Sequence, residues 1–297
     1  MTDSLPLAGQ KIVLTGATGR LGGAVVPALL GAGADVTAIV RRADRARLDA
    51  RAAQTQAALT DENALAAALA GADQLVAILP DVPEIPQMMA TLLAAARSAG
   101  IKRIVKISAH LASQTPPESF GIEHKAADEL VEQSGLDAVI YRPAMFMQSL
   151  ALFFGDWAKG RMIVPVKDGK VAFIDASDIA AAVVKALEGS VKPGIYTLTG
   201  PQSLRFADIA QMLSTWSGAP MKHTAPPLWL AGLIMRTDKT IDGFTRDRLL
   251  GLLKALQQGK EAPVLPDLGQ ILGRPALTFE DRLAQCGAYN GAPPQLI

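Results

Sequence analysis

The stretch Lys11–Leu30, KIVLTGATGRLGGAVVPALL, constrains this chain more than any other. Ile12 to Thr15 reads as a buried strand, the glycines after it as a turn, and the residues from about Arg20 onward as a helix. Gly16, Gly19 and Gly22 recur at every third position. One face of the turn therefore carries backbone without Cβ atoms, and a ligand's phosphates can reach the main chain. The first N–H groups of the helix have no partner within it, and with the macrodipole they make its start an anion site suited to a pyrophosphate. A glycine triplet alone is a weak signal and can be a tight turn with no ligand. Here it follows an apolar strand, opens a helix and precedes a second apolar strand, the context that dinucleotide binding requires. Gly16, Thr18, Gly19, Arg20, Leu21 and Gly22 are the predicted contacts.

That second strand, Asp35 to Val40, ends at Arg41 and Arg42. A NAD-selective fold usually places an acidic side chain at this strand tip to hold the ribose hydroxyls. A carboxylate would repel a 2′-phosphate, whereas an arginine grips it through charge-assisted hydrogen bonds. The expected cofactor is therefore NADP(H) in preference to NAD(H), unless both arginines are solvated charges, one of them neutralised by Asp44.

Downstream, strand and helix patterns alternate. A short strand at Gln54–Leu59 precedes a helix from Asp61, read either as its N-cap or as a contact to the adenine. Strands at Gln74–Leu79, Lys102–Ser108 and Asp137–Tyr141 are separated by helices at about Glu84–Ala99 and Gly121–Gln133. Uninterrupted alternation of this kind predicts an α/β, Rossmann-type doubly wound parallel sheet with ligands at the carboxyl ends of its strands. Leu79, Pro80, Ser108, Ala109, Pro143 and Phe146 follow those ends and are expected to face the cofactor, with Lys125 reaching its ribose or lying solvated on its helix.

The alternation weakens after residue 150, which is taken as the boundary between a nucleotide domain (1–150) and a smaller α/β substrate lobe (151–297), the chain crossing between the two. In that lobe Met162–Val166 and Val171–Ile174 read as strands bracketing the turn Lys167–Asp168–Gly169–Lys170. Ser177 or Asp178 then caps a helix to Leu187, Tyr196–Thr199 is a further strand, and helices are predicted at Phe206–Trp216 and Thr237–Gln257. Met145, Phe146, Met147, Phe153, Phe154 and Trp157 are either an adaptable wall for a flat aromatic guest or ordinary core. The segment PPLWLAGLIM, carrying Trp229, is a lid, a dimer contact or packing, and His110 is placed with the pocket.

Composition narrows the partners. With 29 basic and 28 acidic residues and no basic run interleaved with aromatics, nothing points to nucleic acid or an anionic membrane. The start, MTDSLPLAGQ, lacks the basic and apolar regions of a signal peptide, and PPLWLAGLIM is about half the length needed to span a bilayer. A cytoplasmic protein acting on small molecules, as a monomer or homodimer, is expected. Its one cysteine, Cys286, excludes an internal disulfide and any multi-cysteine metal cluster.

The run TGATGRLG, the strand tip VRR, the block EHKAADELVEQSGLDAVIYRP with MFMQS after it, and the later FIDASDIA and YTLTGPQSLRFADIA resemble the NmrA-like group of atypical short-chain dehydrogenases/reductases. The likeness covers the chain to about Gly218 and fades beyond it. It implies a Rossmann domain with a small C-terminal lobe and a cleft between them. It also implies either an NADPH-dependent reductase of quinones, azo compounds, dyes or enones, or a non-catalytic NADP-binding redox sensor acting through a protein partner.

Ordinary short-chain dehydrogenases use a tyrosine with a lysine four residues on. Tyr141, Tyr196 and Tyr289 are followed at that spacing by Met145, Gly200 and Pro293, so this machinery is absent. His124 and Asp128 occupy the corresponding i and i+4 positions. Hydride transfer from a nicotinamide asks the protein mainly to orient donor and acceptor, and a quinone, azo or dye acceptor tolerates protonation by solvent. His124 is the candidate proton donor or substrate-orienting group, against a helix histidine bonded to a loop carbonyl. Ser108 either polarises the acceptor or caps backbone. Neither flavin nor metal is expected. A third reading, an isomerase or epimerase using its cofactor transiently, predicts no net cofactor consumption.

Overall fold

A computed structural model describes residues 5–42, 48–153, 159–287 and 294, with the backbone alone at 152 and 153. The first half runs β1 (Lys11–Thr15), α1 (Arg20–Gly31), β2 (Asp35–Val40), β3 (Ala53–Gln56), α2 (Glu62–Leu69), β4 (Gln74–Ile78), α3 (Ile85–Ser98), β5 (Arg103–Ile107), α4 (Gly121–Glu132) and β6 (Asp137–Pro143). The second runs β7 (Arg161–Ile163), β8 (Lys170–Val171), α5 (Ala176–Leu187), β9 (Gly194–Leu198), β10 (Leu204–Arg205), α6 (Phe206–Ser217), β11 (Lys222–Thr224), α7 (Leu228–Thr237), α8 (Gly243–Gln257), α9 (Asp267–Leu272) and α10 (Phe279–Gln285).

Among the described residues, seven strands form one sheet in the order β3-β2-β1-β4-β5-β6-β9, every neighbouring pair parallel. Strands buried on both faces need apolar side chains in both directions, and the period of two sorts them. Ile12, Leu14, Val36, Val76 and Val105 meet α1 and α5 on one face, while Val13, Ile39, Leu75, Ala77 and Ile104 meet α2, α3 and α4 on the other. The strand order reverses beside β1, which opens a crevice at the carboxyl edge of β1 and β4. This is the predicted doubly wound α/β architecture.

Past residue 150 the chain returns to the main sheet: α5 packs in the same core as α1, and β9 pairs with β6 as the last strand. A second core gathers Phe173, Phe206 and Phe279 with Val164, Leu213 and Leu256, and the rings of Phe173 and Phe206 meet edge to face at 5.5 Å.

Several local expectations fail for physical reasons. The hairpin around residues 167–170 does not form: β7 pairs in parallel with β11, and β8 pairs antiparallel with β10. The turn instead sits on α8, where Lys167 N–H donates to Gln257 and a Cβ on Gly169 would lie 2.0 Å from the Leu256 carbonyl oxygen. Asp175, not Ser177 or Asp178, caps α5 by accepting from Ser177 N–H, since Asp178 turns inward to Arg274 and the Leu277 N–H. The helix predicted over 237–257 starts later, at Gly243 behind the Asp242 cap, and ends where expected, while α7 precedes it and stops at Thr237. β6 runs two residues further than predicted, through Arg142 and Pro143, and β3 is shorter than expected. No described helix is long and apolar enough to cross a membrane.

Candidate active site

The turn between β1 and α1 is built for close approach. Gly16 has φ +69°, and a Cβ there would lie 2.6 Å from the Ile78 carbonyl oxygen. A Cβ on Gly22 would lie 2.3 Å from the Gly16 carbonyl oxygen, so only glycine lets the first turn of α1 sit against the loop. Thr15 clamps this region by donating its hydroxyl to the Ile78 carbonyl (2.9 Å) and accepting from the Ile78 N–H (3.0 Å). Gly19 is the N-cap of α1, and no side chain caps the helix or places an acid in its first turn. Arg20 stands there instead, which suits the helix dipole poorly and an anionic ligand well. The cradle fits a pyrophosphate on these grounds.

From this turn a cleft of about 370 Å³ continues along the carboxyl ends of β4, β5 and β6, within the usual range for small-molecule sites. Gly16, Gly19, Arg20, Leu21 and Gly22 line one end; Leu79, Pro80, Ser108 and Ala109 line its middle; Pro143, Met145 and Phe146 continue it, with His110 and His124 between. Phe120, Leu252 from α8 and Glu261 close the far side.

His124 is buried in α4 with Nε2 3.3 Å from an Asp81 carboxylate oxygen, and its Nδ1 has no hydrogen-bond partner. One turn along, the fully buried Asp128 accepts from Ser108 Oγ (2.9 Å) and Arg142 Nε (2.8 Å) and pairs with Lys106. Lys106 also donates to the His124 carbonyl at 3.0 Å. Burial pulls the Lys106 ammonium below the ordinary lysine range, with the Asp128 charge opposing. One carboxylate and two cations from β5 and β6 thus fix the Ser108 hydroxyl and the backbone of His124 at the mouth of the cleft.

On the opposite wall Glu261 is 4% exposed. Its Oε2 accepts the Met145 N–H at 2.8 Å, and its Oε1 lies 3.9 Å from His110 Nδ1. Burial pushes the Glu261 carboxyl up to about 7, against the pull of the Met145 N–H. Burial, with the Arg142 charge, holds His110 below the usual histidine range. Both shifts oppose charge on these groups and so disfavour an ion pair between them.

Other predicted residues stand elsewhere. Asp61 caps α2 through the Ala64 N–H (3.0 Å) and does not line the cleft. Lys125 pairs with Glu129 one turn along α4, its side chain turned away from the cleft that its neighbour His124 faces. Met147 is 1% exposed in the second core, and Trp229 is 69% exposed on α7; neither lines the cleft. Thr18 is exposed within the glycine turn and is not among the lining residues. Arg41 and Arg42 lie exposed at the carboxyl end of β2. Phe154, Trp157, Asp44 and the Phe153 side chain lie outside the described residues.

A parallel sheet whose first turn is a glycine-floored anion cradle defines a dinucleotide-binding protein. Residues 16–189 match the NAD(P)H-binding family, and the chain belongs to it as an NmrA-like atypical short-chain dehydrogenase/reductase. It is 36% identical over 289 residues to an NAD(P)H azoreductase of Xenophilus azovorans, covering 95% of this chain and 100% of that protein. It is 30% identical over 221 residues to quinone oxidoreductase 2 of Escherichia coli, covering 71% and 76% of the two chains. An NADPH-dependent quinone oxidoreductase from Escherichia coli, solved with NADPH, shares the fold with a TM-score of 0.79 at 23% identity, covering 92% of this chain and 99% of that one.

Proposed function

We propose that this protein is an NADPH-dependent reductase that passes hydride directly to a small aromatic or conjugated acceptor, such as a quinone, azo compound, dye or enone. The observation that carries the reading is the unbroken path from the glycine cradle into a cleft floored by Ile107, Ala144 and Phe146. The azoreductase and quinone reductase relatives act in the same sense on this type of molecule. When bound, the reduced nicotinamide supplies the hydride.

The chain's own residues do the rest. Gly16, Gly19 and Gly22 admit the phosphates to the backbone, and Arg20 adds a positive charge beside them. Arg41 and Arg42 hold a 2′-phosphate and set the preference for NADP(H) over NAD(H). Met145 and Phe146 pack against a planar guest and exclude water. His124, held by Asp81, orients the acceptor, and Ser108, held by Asp128, offers a hydroxyl to its polar end. The site needs neither flavin nor metal.

Purified protein given NADPH and a panel of quinones, azo dyes and enones is expected to consume NADPH, followed by its absorbance, with at least one acceptor. Tight NADPH binding with no oxidation by any acceptor would support the non-catalytic sensor instead. Product formed without net consumption of NADPH would support an isomerase.

A further inference from the structure

Glu261 is a carboxyl group for which the fold has little use. It caps no helix, and among the described residues no lysine or arginine pairs with it. Its neighbour Lys260 turns away to Glu118. Burying such a group without a countercharge is costly. The backbone nevertheless holds it in place, its carbonyl accepting the Ala172 N–H at 2.7 Å while Oε2 takes the Met145 N–H. The side chain is thereby anchored by one oxygen in the wall of the cleft, with the other beside His110.

We propose that Glu261 is the acid that protonates the acceptor as hydride reaches it. The proposal rests on the reductase reading. In the step, a quinone or azo acceptor gains two electrons and a hydrogen as hydride from NADPH, which is oxidised to NADP⁺. The electron pair displaced onto the acceptor's far oxygen or nitrogen takes the Glu261 proton as the carboxyl O–H bond breaks. The products are a hydroquinone or hydrazo compound and a Glu261 carboxylate, which regains its proton from solvent.

The charge environment suits this role. His110 is the titratable group facing Glu261 from the loop after β5, the end of β6 contributes the Met145 N–H, and α8 contributes the uncharged Leu252. The other charged or titratable groups lining the cleft are Arg20, Asp81 and His124. Asp81, the other lining acid, has a side chain 57% exposed and engages His124. With its carboxyl pushed up to about 7, part of the Glu261 population still carries a transferable proton at neutrality, whereas an ordinary carboxyl would have lost nearly all of it.

Glu261→Gln keeps the size and the acceptor for the Met145 N–H but removes the acid. Wild-type kcat/KM is expected to be level below about pH 7 and to fall about tenfold per pH unit above it. The variant is expected to lose about 100-fold in kcat at low pH, the low end for a general acid, and to show no such limb. Its NADPH affinity by calorimetry should be unchanged. Infrared difference spectra of the cofactor-free protein should show a protonated buried carboxyl that titrates near neutrality and is absent from the variant. Glu261→Asp, still an acid, should keep the limb at a reduced rate. An identical rate and pH profile in Glu261→Gln, or a carboxyl band that titrates in the ordinary glutamate range, would overturn the proposal. Should Glu261→Gln not fold, a wild-type profile flat through neutrality would do so. Wild-type protein that binds NADPH but reduces no acceptor would instead overturn the reductase reading beneath it.

Discussion

Arg41 stands exposed at the carboxyl end of β2, where the proposed cofactor preference is tested most directly. A guanidinium at the tip of β2 and a 2′-phosphate form charge-assisted hydrogen bonds that NADH has no group to make. Arg41→Ala is expected to weaken NADPH by about 10–100-fold, the loss of about 1.5–3 kcal/mol for a hydrogen bond to a charged group, while leaving NADH nearly untouched in parallel titrations. Equal losses for both cofactors would remove Arg41 from the phosphate site. The glycine turn was legible because its glycines lie within a few residues of the strand they follow, as do Arg41 and Arg42 at the tip of β2. Lys106 was half legible, since a lysine inside the run RIVKI requires a buried partner once β5 is known to lie mid-sheet. Glu261 was not legible at all. Its partners Met145 and His110 lie more than a hundred residues away in sequence, and the GKEAPVLP segment around it reads as solvent-facing loop.

Among the elements, α8 makes the cleft a cleft. Arg248 forks onto the Glu123 carboxylate at the start of α4, through Nε at 3.1 Å and through Nη2, and stacks 5.1 Å over the Phe244 ring. Its carbonyl accepts from the Ser119 hydroxyl at 2.6 Å, and Phe244 meets Phe120 edge to face at 6.5 Å. These contacts tie the C-terminal wall carrying Leu252 and Glu261 to the loop carrying His110. Arg248→Ala removes a partly buried bidentate pair worth about 1.5–3 kcal/mol. It is expected to raise KM for the acceptor several-fold while leaving NADPH affinity within about twofold, and to speed amide exchange over 243–261. Unchanged exchange and KM would show that α8 is held by packing alone. The bounds of β2 and the start of α1 followed from local pattern, whereas the supposed hairpin at 162–174 failed because its turn is recruited by α8. A turn motif specifies a bend, but its partner strands are chosen by what packs nearby.

The molecule as a whole is a parallel sheet with its first crevice floored by glycine and roofed by Phe120, Leu252 and Glu261. The sheet draws α5 and β9 from beyond β7 and β8, so cradle and roof are fixed in one continuous framework. Such an arrangement suits chemistry in which the cofactor brings the reactivity and the protein brings alignment and dryness. The absence of the tyrosine–lysine pair is compatible with that chemistry, since an acceptor that takes hydride readily does not need a strongly activated hydroxyl. The most direct test is a single-turnover experiment on flavin-free, metal-free protein. One equivalent of bound NADPH is mixed with a quinone or azo acceptor, and oxidised cofactor and reduced acceptor are quantified together. The account requires that both appear at the same rate and in equal amounts. Bound NADPH that stays reduced, or acceptor that is reduced only after flavin or metal is added, would contradict it.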